Sequence, residues 1–184
     1  MQTNEGAFLN TSKKAEKQSD RVPDVGIVMG SDSDLETMEE TAAVLRQFDI
    51  LYEMTVASAH RSPERAAKFA ASAHKRGIKV IIAGAGHAAH LAGNIAAYTS
   101  LPVIGVPIDS SCLQGLDALL STVQMPPGVP VATVAIGKAG AMNAALLAAA
   151  ILANKYPPIA AALDQFRAKQ TAQVLENPDP RDAP

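Results

Sequence analysis

The sequence predicts a three-layer α/β/α sandwich built around a parallel sheet of about five strands, with an additional helix at the C-terminus. Two observations predict this fold. Short strand-type runs alternate with longer helix-type runs along the chain. The strand-type runs are also continuously apolar, which is typical of parallel strands that helices cover on both faces.

The strand-type runs lie between residues that favour turns. The first ends in Gly30 and the third in Gly84, and glycine allows a sharp turn directly after a buried strand. Parallel strands that alternate with helices in this way predict a flavodoxin-like sheet. In chain order, the predicted strands are residues 25–30, 51–56, 80–84, 102–106 and 131–136.

The helix-type runs show helical spacing of apolar residues. In the first run, Leu35, Met38, Ala42 and Leu45 share one face. Residues 141–153 are apolar nearly all round, which indicates a helix buried by its neighbours. In chain order, the predicted helices are residues 35–48, 63–76, 90–98, 139–154 and 159–174.

The second helix has clear sequence boundaries. Pro63 suits the first helical position, where its missing N–H is not needed. Ser62 is the expected N-cap, and Gly77 is expected to end the helix.

The chain has 184 residues, 48% hydrophobic and 18% charged, which is enough for one domain with a full core. Residues 1–21 contain several lysines and no apolar segment after them, so we expect a disordered extension there and no secretory signal. Residues 22–184 are expected to form a single domain.

Composition also excludes several classes of function. A net charge of −2 gives no reason to expect nucleic-acid binding. No apolar run reaches the roughly 20 residues that span a bilayer, so no membrane association is expected. The single cysteine, Cys112, excludes an intrachain disulfide and predicts a cytoplasmic, reducing location.

Three unusual segments follow the first three predicted strands. They are residues 30–34, residues 58–63 and residues 84–91. Ligands of open α/β sheets bind beyond the carboxyl ends of the strands. We therefore expect these three segments to meet at one rim of the sheet and form the functional site.

The first segment can bind an anion at a helix N-terminus. Ser33 either caps the helix, with Glu36 three residues later, or binds ligand, and one serine can do both. Ser31 is not needed as a cap and is the better ligand candidate. Asp34 either accepts hydrogen bonds from ribose hydroxyls or only places a negative charge at the helix N-terminus.

The second segment places a proton-transfer group beside an anion anchor. Unperturbed histidine titrates at about pH 6.5, so His60 can give and take protons at neutral pH. Arg61 can hold a phosphate in a forked geometry. Either residue alone would more often be a surface residue without function. Their adjacency and rim position favour catalysis on a phosphorylated small molecule.

The third segment is rich in small residues. Ala85 and Gly86 let a flat ligand lie against the backbone, although close packing of strand and helix would also select them. His87 and His90 are three residues apart, but no third metal ligand is evident nearby. We predict no metal site.

Several motifs match a known family in order. The chain resembles the PurE family of purine biosynthesis, specifically its class I members, the N5-carboxyaminoimidazole ribonucleotide mutases. The resemblance covers about residues 24–181. The matching motifs are G-S-D-S-D at 30–34, S-A-H-R-S-P at 58–63, A-G-A-G-H-A-A-H-L at 83–91, L-P-V-I-G-V-P at 101–107, V-Q-M-P-P-G-V-P-V-A-T-V-A-I at 123–136 and N-A-A-L-L-A at 143–148.

The resemblance implies an isomerase that moves a carboxylate from N5 to C4 of its substrate, without metal, ATP or organic cofactor. His60 matches the family's acid–base histidine. The resemblance further implies a catalytic homo-octamer, and we expect the terminal helix to pack on another subunit. The substrate-binding residues that it implies are Ser31, Ser33, Asp34, Ser58, Ala59, Arg61, Ala85, Gly86, His90 and Leu91.

Two positions depart from the family pattern. Position 87 is His where a glycine is expected, and position 92 is Ala where a proline is usual. Both lie in the loop that is expected to cover the base and the carboxylate.

Three other functions are compatible with parts of this sequence. Class II chemistry, the direct carboxylation of aminoimidazole ribonucleotide by carbon dioxide, is the nearest, but class II members have a more polar loop at 83–91. A related carboxylase of pyridine nucleotides is disfavoured by the chain length and by the segment at 123–128. A non-catalytic nucleotide-binding module would make His60 dispensable.

Overall fold

The computed structural model describes residues 22–176 of the chain. The predicted extension, residues 1–21, lies outside the described residues, and so do residues 177–184. The strands are β1 (Val25–Met29), β2 (Tyr52–Val56), β3 (Val80–Gly86), β4 (Val103–Ile108) and β5 (Ala132–Thr133). The helices are α1 (Leu35–Gln47), α2 (Pro63–Ala73), α3 (Leu91–Ala97), α4 (Leu116–Val123), α5 (Gly137–Ala153) and α6 (Pro157–Glu176).

All strand pairs in the sheet are parallel, and the strand order is β2-β1-β3-β4-β5. Val25 of β1 is in register with Tyr52 on one side and with Val80 on the other. This is the flavodoxin-like order, so the predicted fold class is confirmed. The chain leaves β1 toward one edge of the sheet and β3 toward the other, which opens a crevice between the carboxyl ends of these two strands.

Two apolar layers cover the sheet. One face packs against α1, α5 and α6, with Met38 and Leu45 of α1 and Ala145 of α5 fully buried. The other face packs against α2, α3 and α4, where Phe69 and Ile95 are buried. The central strands are therefore dry on both faces, which explains their continuous apolar sequences.

Several sequence expectations about the elements need correction. Leu35 does not share the buried face of α1, because it is 47% exposed at the first turn of the helix. β2 is only partly buried because it lies at the edge of the sheet. β5 is two residues long, against the six expected between 131 and 136. The helix α4 was not predicted at all.

The boundaries of α2 agree with the sequence in position but not in every contact. Gly77 ends the segment in the left-handed conformation, with φ of 93°, after a short 3₁₀ turn at His74–Arg76. Pro63 opens the helix, and Ser62 occupies the N-cap position. The Ser62 side chain does not cap the helix, however. Its hydroxyl instead forms hydrogen bonds with the backbone of Ser58, in the segment expected to form part of the functional site.

Candidate active site

A cavity of about 420 Å³ lies beyond the carboxyl ends of β1, β2 and β3. The three segments singled out in the sequence meet there, as expected from the topology. Gly30, His87, Ala88 and Ser110 complete its wall. Every site residue predicted from the sequence lines this cavity: Ser31, Ser33, Asp34, Ser58, Ala59, His60, Arg61, Ala85, Gly86, His90 and Leu91.

The segment after β1 forms a capped 3₁₀ turn at Asp32–Asp34. Ser31 is the N-cap, and its hydroxyl accepts a hydrogen bond from the Ser33 N–H at 3.4 Å. The Asp34 carboxylate in turn accepts a hydrogen bond from the Ser31 N–H at 3.0 Å. The expectation that Ser31 is not needed as a cap is therefore wrong, and of the two roles left open for Ser33 the structure does not show the capping one. A 3₁₀ turn precedes α1 and moves the cap two residues toward the N-terminus.

Asp34 is the buried carboxylate of the cavity, with only 5% of its surface exposed. Burial raises the pKa of this carboxyl above its ordinary value, because ionisation is costly away from water. Hydrogen bonds from the Ser31 and Gly30 N–H groups oppose the rise, as do the nearby charges of Arg61 and His87.

The segment after β2 is organised by Ser58. Its hydroxyl accepts hydrogen bonds from the backbone N–H groups of His60, at 3.3 Å, and of Arg61, at 3.1 Å. The Ser62 hydroxyl accepts from the Ser58 N–H at 2.9 Å and donates to the Ser58 carbonyl at 3.2 Å. Hydrogen bonds of two serines thus take the place of regular secondary structure, and they hold the backbone of His60 and Arg61.

Arg61 connects two of the three segments. Its guanidinium donates a hydrogen bond to the Gly30 carbonyl at 2.8 Å. Gly30 is the residue that directly follows β1. Arg61 is otherwise exposed and lines the cavity. The remaining guanidinium N–H groups can therefore meet an anionic ligand in the cavity.

His60 and His90 contact each other across the cavity. The distance from His60 Nε2 to His90 Nδ1 is 2.8 Å, and the rings are 5.0 Å apart at an angle of 85°. His90 lies at the N-cap position of α3, and its side chain makes no capping bond to that helix. Both imidazoles belong to exposed residues in the single chain, so a substrate can reach them.

The segment after β3 runs close to the end of β4. A Cβ at Gly86 would overlap the Ser110 hydroxyl, so glycine is needed for this close approach. Sequence reasoning missed Ser110 as a wall residue, because the fourth strand was expected to end at 106 and in fact continues to Ile108. The polar run Asp109–Ser111 directly after that strand is the signal that could have found it.

Two further properties bear on the class of protein. Within residues 22–176, no group of three or more His, Cys, Asp or Glu side chains could hold a metal ion. None of the helices in that part of the chain is both long enough and apolar enough to cross a membrane.

A family model described as AIR carboxylase matches residues 24–173. The chain belongs to this family. It is similar to the N5-carboxyaminoimidazole ribonucleotide mutase of Pseudomonas aeruginosa, with 61% identity over 86% of this chain and 98% of the relative. It is also similar to the enzyme of that name from Pyrococcus abyssi, with 62% identity over 79% of this chain and 83% of the relative.

A solved structure gives an independent comparison. The crystal structure of Treponema denticola PurE has a TM-score of 0.75 to this fold and 29% sequence identity, covering 83% of this chain and 94% of the other. The resemblance to the PurE family that the motifs predicted is therefore confirmed.

Proposed function

We propose that this protein is an N5-carboxyaminoimidazole ribonucleotide mutase of purine biosynthesis. It moves the carboxylate of its substrate from the exocyclic N5 to C4 of the imidazole ring, and the product is 4-carboxy-5-aminoimidazole ribonucleotide. Relatives with 61% and 62% identity carry this name. The direct carboxylation considered as the alternative has no comparable support among them.

The observation that carries this proposal is the placement of His60. Its imidazole lines a cavity at the switch point of the sheet, and Arg61, the next residue in the chain, lines the same cavity. An acid–base group next to an anion anchor suits a reaction whose substrate is a phosphorylated imidazole.

In the first half of the reaction, the bond between N5 and the carboxylate carbon breaks. Carbon dioxide leaves, and its bonding electron pair stays on nitrogen. The imidazolium form of His60 donates a proton to that nitrogen. The products of this step are aminoimidazole ribonucleotide and carbon dioxide, which is held in the cavity.

In the second half, C4 of the ring attacks carbon dioxide and a carbon–carbon bond forms. The now neutral imidazole of His60 removes the proton from C4, and the ring regains aromaticity. His60 ends in its starting protonation state. The reaction therefore balances with no external acid, base or cofactor.

The other wall residues bind and orient the substrate in this proposal. Arg61 and Ser31 hold the phosphate, and Asp34 accepts from the ribose hydroxyls. Ala85 and Leu91 are buried apolar residues of the wall, and they favour carbon dioxide over water next to the reacting ring. The remaining residues assigned to substrate binding are Ser33, Ser58, Ala59, Gly86 and His90.

We also propose that the chain assembles into a homo-octamer in the cytoplasm. Leu116, Leu120 and Val123 of α4 are each about half exposed and share one helical face. Met142 and Leu147 of α5 are exposed as well. Apolar surface of this kind favours contact with further copies. Light scattering at micromolar protein should give eight times the chain mass, and a monomeric mass would contradict the assembly.

The decisive experiment supplies either of two substrates and follows the carboxylated imidazole by ultraviolet absorbance. A mutase converts N5-carboxyaminoimidazole ribonucleotide rapidly without added bicarbonate. Efficient use of aminoimidazole ribonucleotide at low bicarbonate, with no conversion of the N5-carboxy compound, would assign the protein to direct carboxylation instead.

A further inference from the structure

His87 has a backbone conformation that its residue type disfavours. Its φ is 51°, in the left-handed region where a side chain with a Cβ costs about 1 kcal/mol relative to glycine. Of the residues that line the cavity, His87 alone has a positive φ. A strained residue in a ligand cavity points to a function for its side chain.

The backbone on either side of His87 is held in place. Gly86 pairs with Ile108 in the sheet and lies against Ser110. Ala89 is 2% exposed, and its carbonyl accepts from the Thr122 hydroxyl at 3.5 Å. The left-handed turn at His87 is therefore held on both sides by the sheet and the core, and it does not lie in a loosely packed loop.

His87 and Arg61 both line the cavity that holds the buried carboxylate of Asp34. The charge of each opposes the burial that raises the pKa of that carboxyl. Two groups able to carry positive charge therefore share this cavity with Asp34.

We propose that His87 is a second cationic contact, beside Arg61, for the phosphate of the ribonucleotide. This inference rests on the proposed function of the site. A phosphate monoester carries more than one negative charge near neutral pH, so a single guanidinium does not neutralise it. Protonated imidazole supplies the additional charge and a hydrogen-bond donor. Ligand affinity then depends on the protonation state of His87.

Calorimetric titration tests this with two ribonucleotides that share the phosphate. One is 4-carboxy-5-aminoimidazole ribonucleotide, and the other is 5-aminoimidazole ribonucleotide, which lacks the carboxylate. His87→Asn keeps a residue that tolerates the left-handed conformation but cannot become a cation. We expect its Kd to exceed that of the unchanged protein about tenfold at pH 6 for both ligands.

Other ionisable groups line the cavity, namely Asp34, His60, Arg61 and His90. They are present in both proteins, so the ratio of the two Kd values isolates the contribution of position 87. His87→Gly removes the imidazole and also relieves the strained backbone, and it should show the same loss. His74→Asn is the matched control, because His74 is exposed at the end of α2, away from the cavity.

Three outcomes would overturn the proposal. They are equal Kd values for both proteins at pH 6, a loss confined to the carboxylated ligand, or a loss in His87→Asn that His87→Gly does not share. The turnover of the unchanged protein is measured first and separately. Absence of the isomerisation there would refute the proposed function, whereas unchanged affinity in an active enzyme would refute only the role of His87.

Discussion

The Nε2 atom of His60 lies 2.8 Å from the Nδ1 atom of His90, and the two rings meet edge to face. One of these nitrogens donates a proton to the other, so a single proton bridges the pair. If both rings were protonated, two N–H groups would face each other and the contact would be lost. The pair therefore couples the protonation of His60 to a residue 30 positions later in the chain.

Replacing His60 by Asn tests its proposed role in proton transfer. Asparagine retains a similar size and hydrogen-bonding capacity but cannot titrate. We expect turnover to fall by about 10²-fold or more, the usual contribution of a general acid–base group, while product affinity changes little. Initial rates and calorimetric titration of the product check this. Near-normal turnover would refute the assignment.

Replacing His90 by Ala removes the partner that orients His60. The expected result is a fall in kcat of about tenfold together with a changed pH dependence, because the hydrogen bond between the two ring nitrogens is then lost. A pH profile of kcat from about pH 5 to 9 measures both effects. His90→Asn, which retains a hydrogen-bonding side chain, should recover part of the rate. A lower rate with an unaltered pH profile would leave His90 a purely structural role and contradict the coupling.

Replacing Arg61 by Ala tests the phosphate anchor. Loss of a charge-assisted contact should cost about 1.5–3 kcal/mol of substrate binding, which raises KM by about one to two orders of magnitude. Arg61→Lys is the matched variant. It keeps the charge but not the forked geometry, so its KM should lie between the other two. Steady-state kinetics at fixed pH measure all three proteins, and unchanged KM in Arg61→Ala would exclude phosphate anchoring by this residue.

The fold was predictable because the same sequence pattern, an apolar strand followed by a helix, recurs along the chain. Each central strand is dry on both faces, so its sequence is apolar throughout, and the convergence of the site residues follows from parallel strands alone. The helix α4 was missed although its sequence carries a helical pattern. Leu116, Leu120 and Val123 recur at helical spacing, but they are exposed in the single chain and the buried face is made of small residues such as Ala118.

The site was predicted as a set of residues but not in its contacts. Nothing in the sequence indicates that His60 and His90 touch, because this depends on how far α3 lies from the end of β2. The spacing from Ser33 to Glu36 fits a helix that begins at once, so capping by Ser33 is one of the two roles that the sequence allows it. In the 3₁₀ turn that gives this role to Ser31, the Asp34 carboxylate accepts from the Ser31 N–H and is buried, and burial is a tertiary property.

Two aspartates of that turn should respond to pH in opposite directions. Burial raises the pKa of Asp34 in the folded protein, so its ionised form destabilises the fold. This cost is absent at low pH, where the carboxyl is protonated in both states, and it is fully present above the folded pKa. Asp34→Asn should therefore be more stable than the unchanged protein at neutral pH, and the difference should vanish in acid.

Asp32 provides the internal control. The Ser31 hydroxyl and then the Ser33 N–H donate to its carboxylate and lower its pKa. The ionised form therefore stabilises the fold above the ordinary pKa, and this contribution is lost as pH falls through the lowered value. Asp32→Asn should be the less stable protein at neutral pH.

Urea unfolding of the three proteins at several values between about pH 3 and pH 8 gives these free-energy differences directly. If the advantage of Asp34→Asn shrank as pH rose, the buried carboxylate would be stabilising and the sign of its pKa shift would be wrong. We further expect Asp34→Asn to bind the ribonucleotide less tightly, because the amide accepts fewer hydrogen bonds from ribose than the carboxylate does. A more stable protein with weaker binding would show that the buried charge is kept for ligand recognition at a cost in stability.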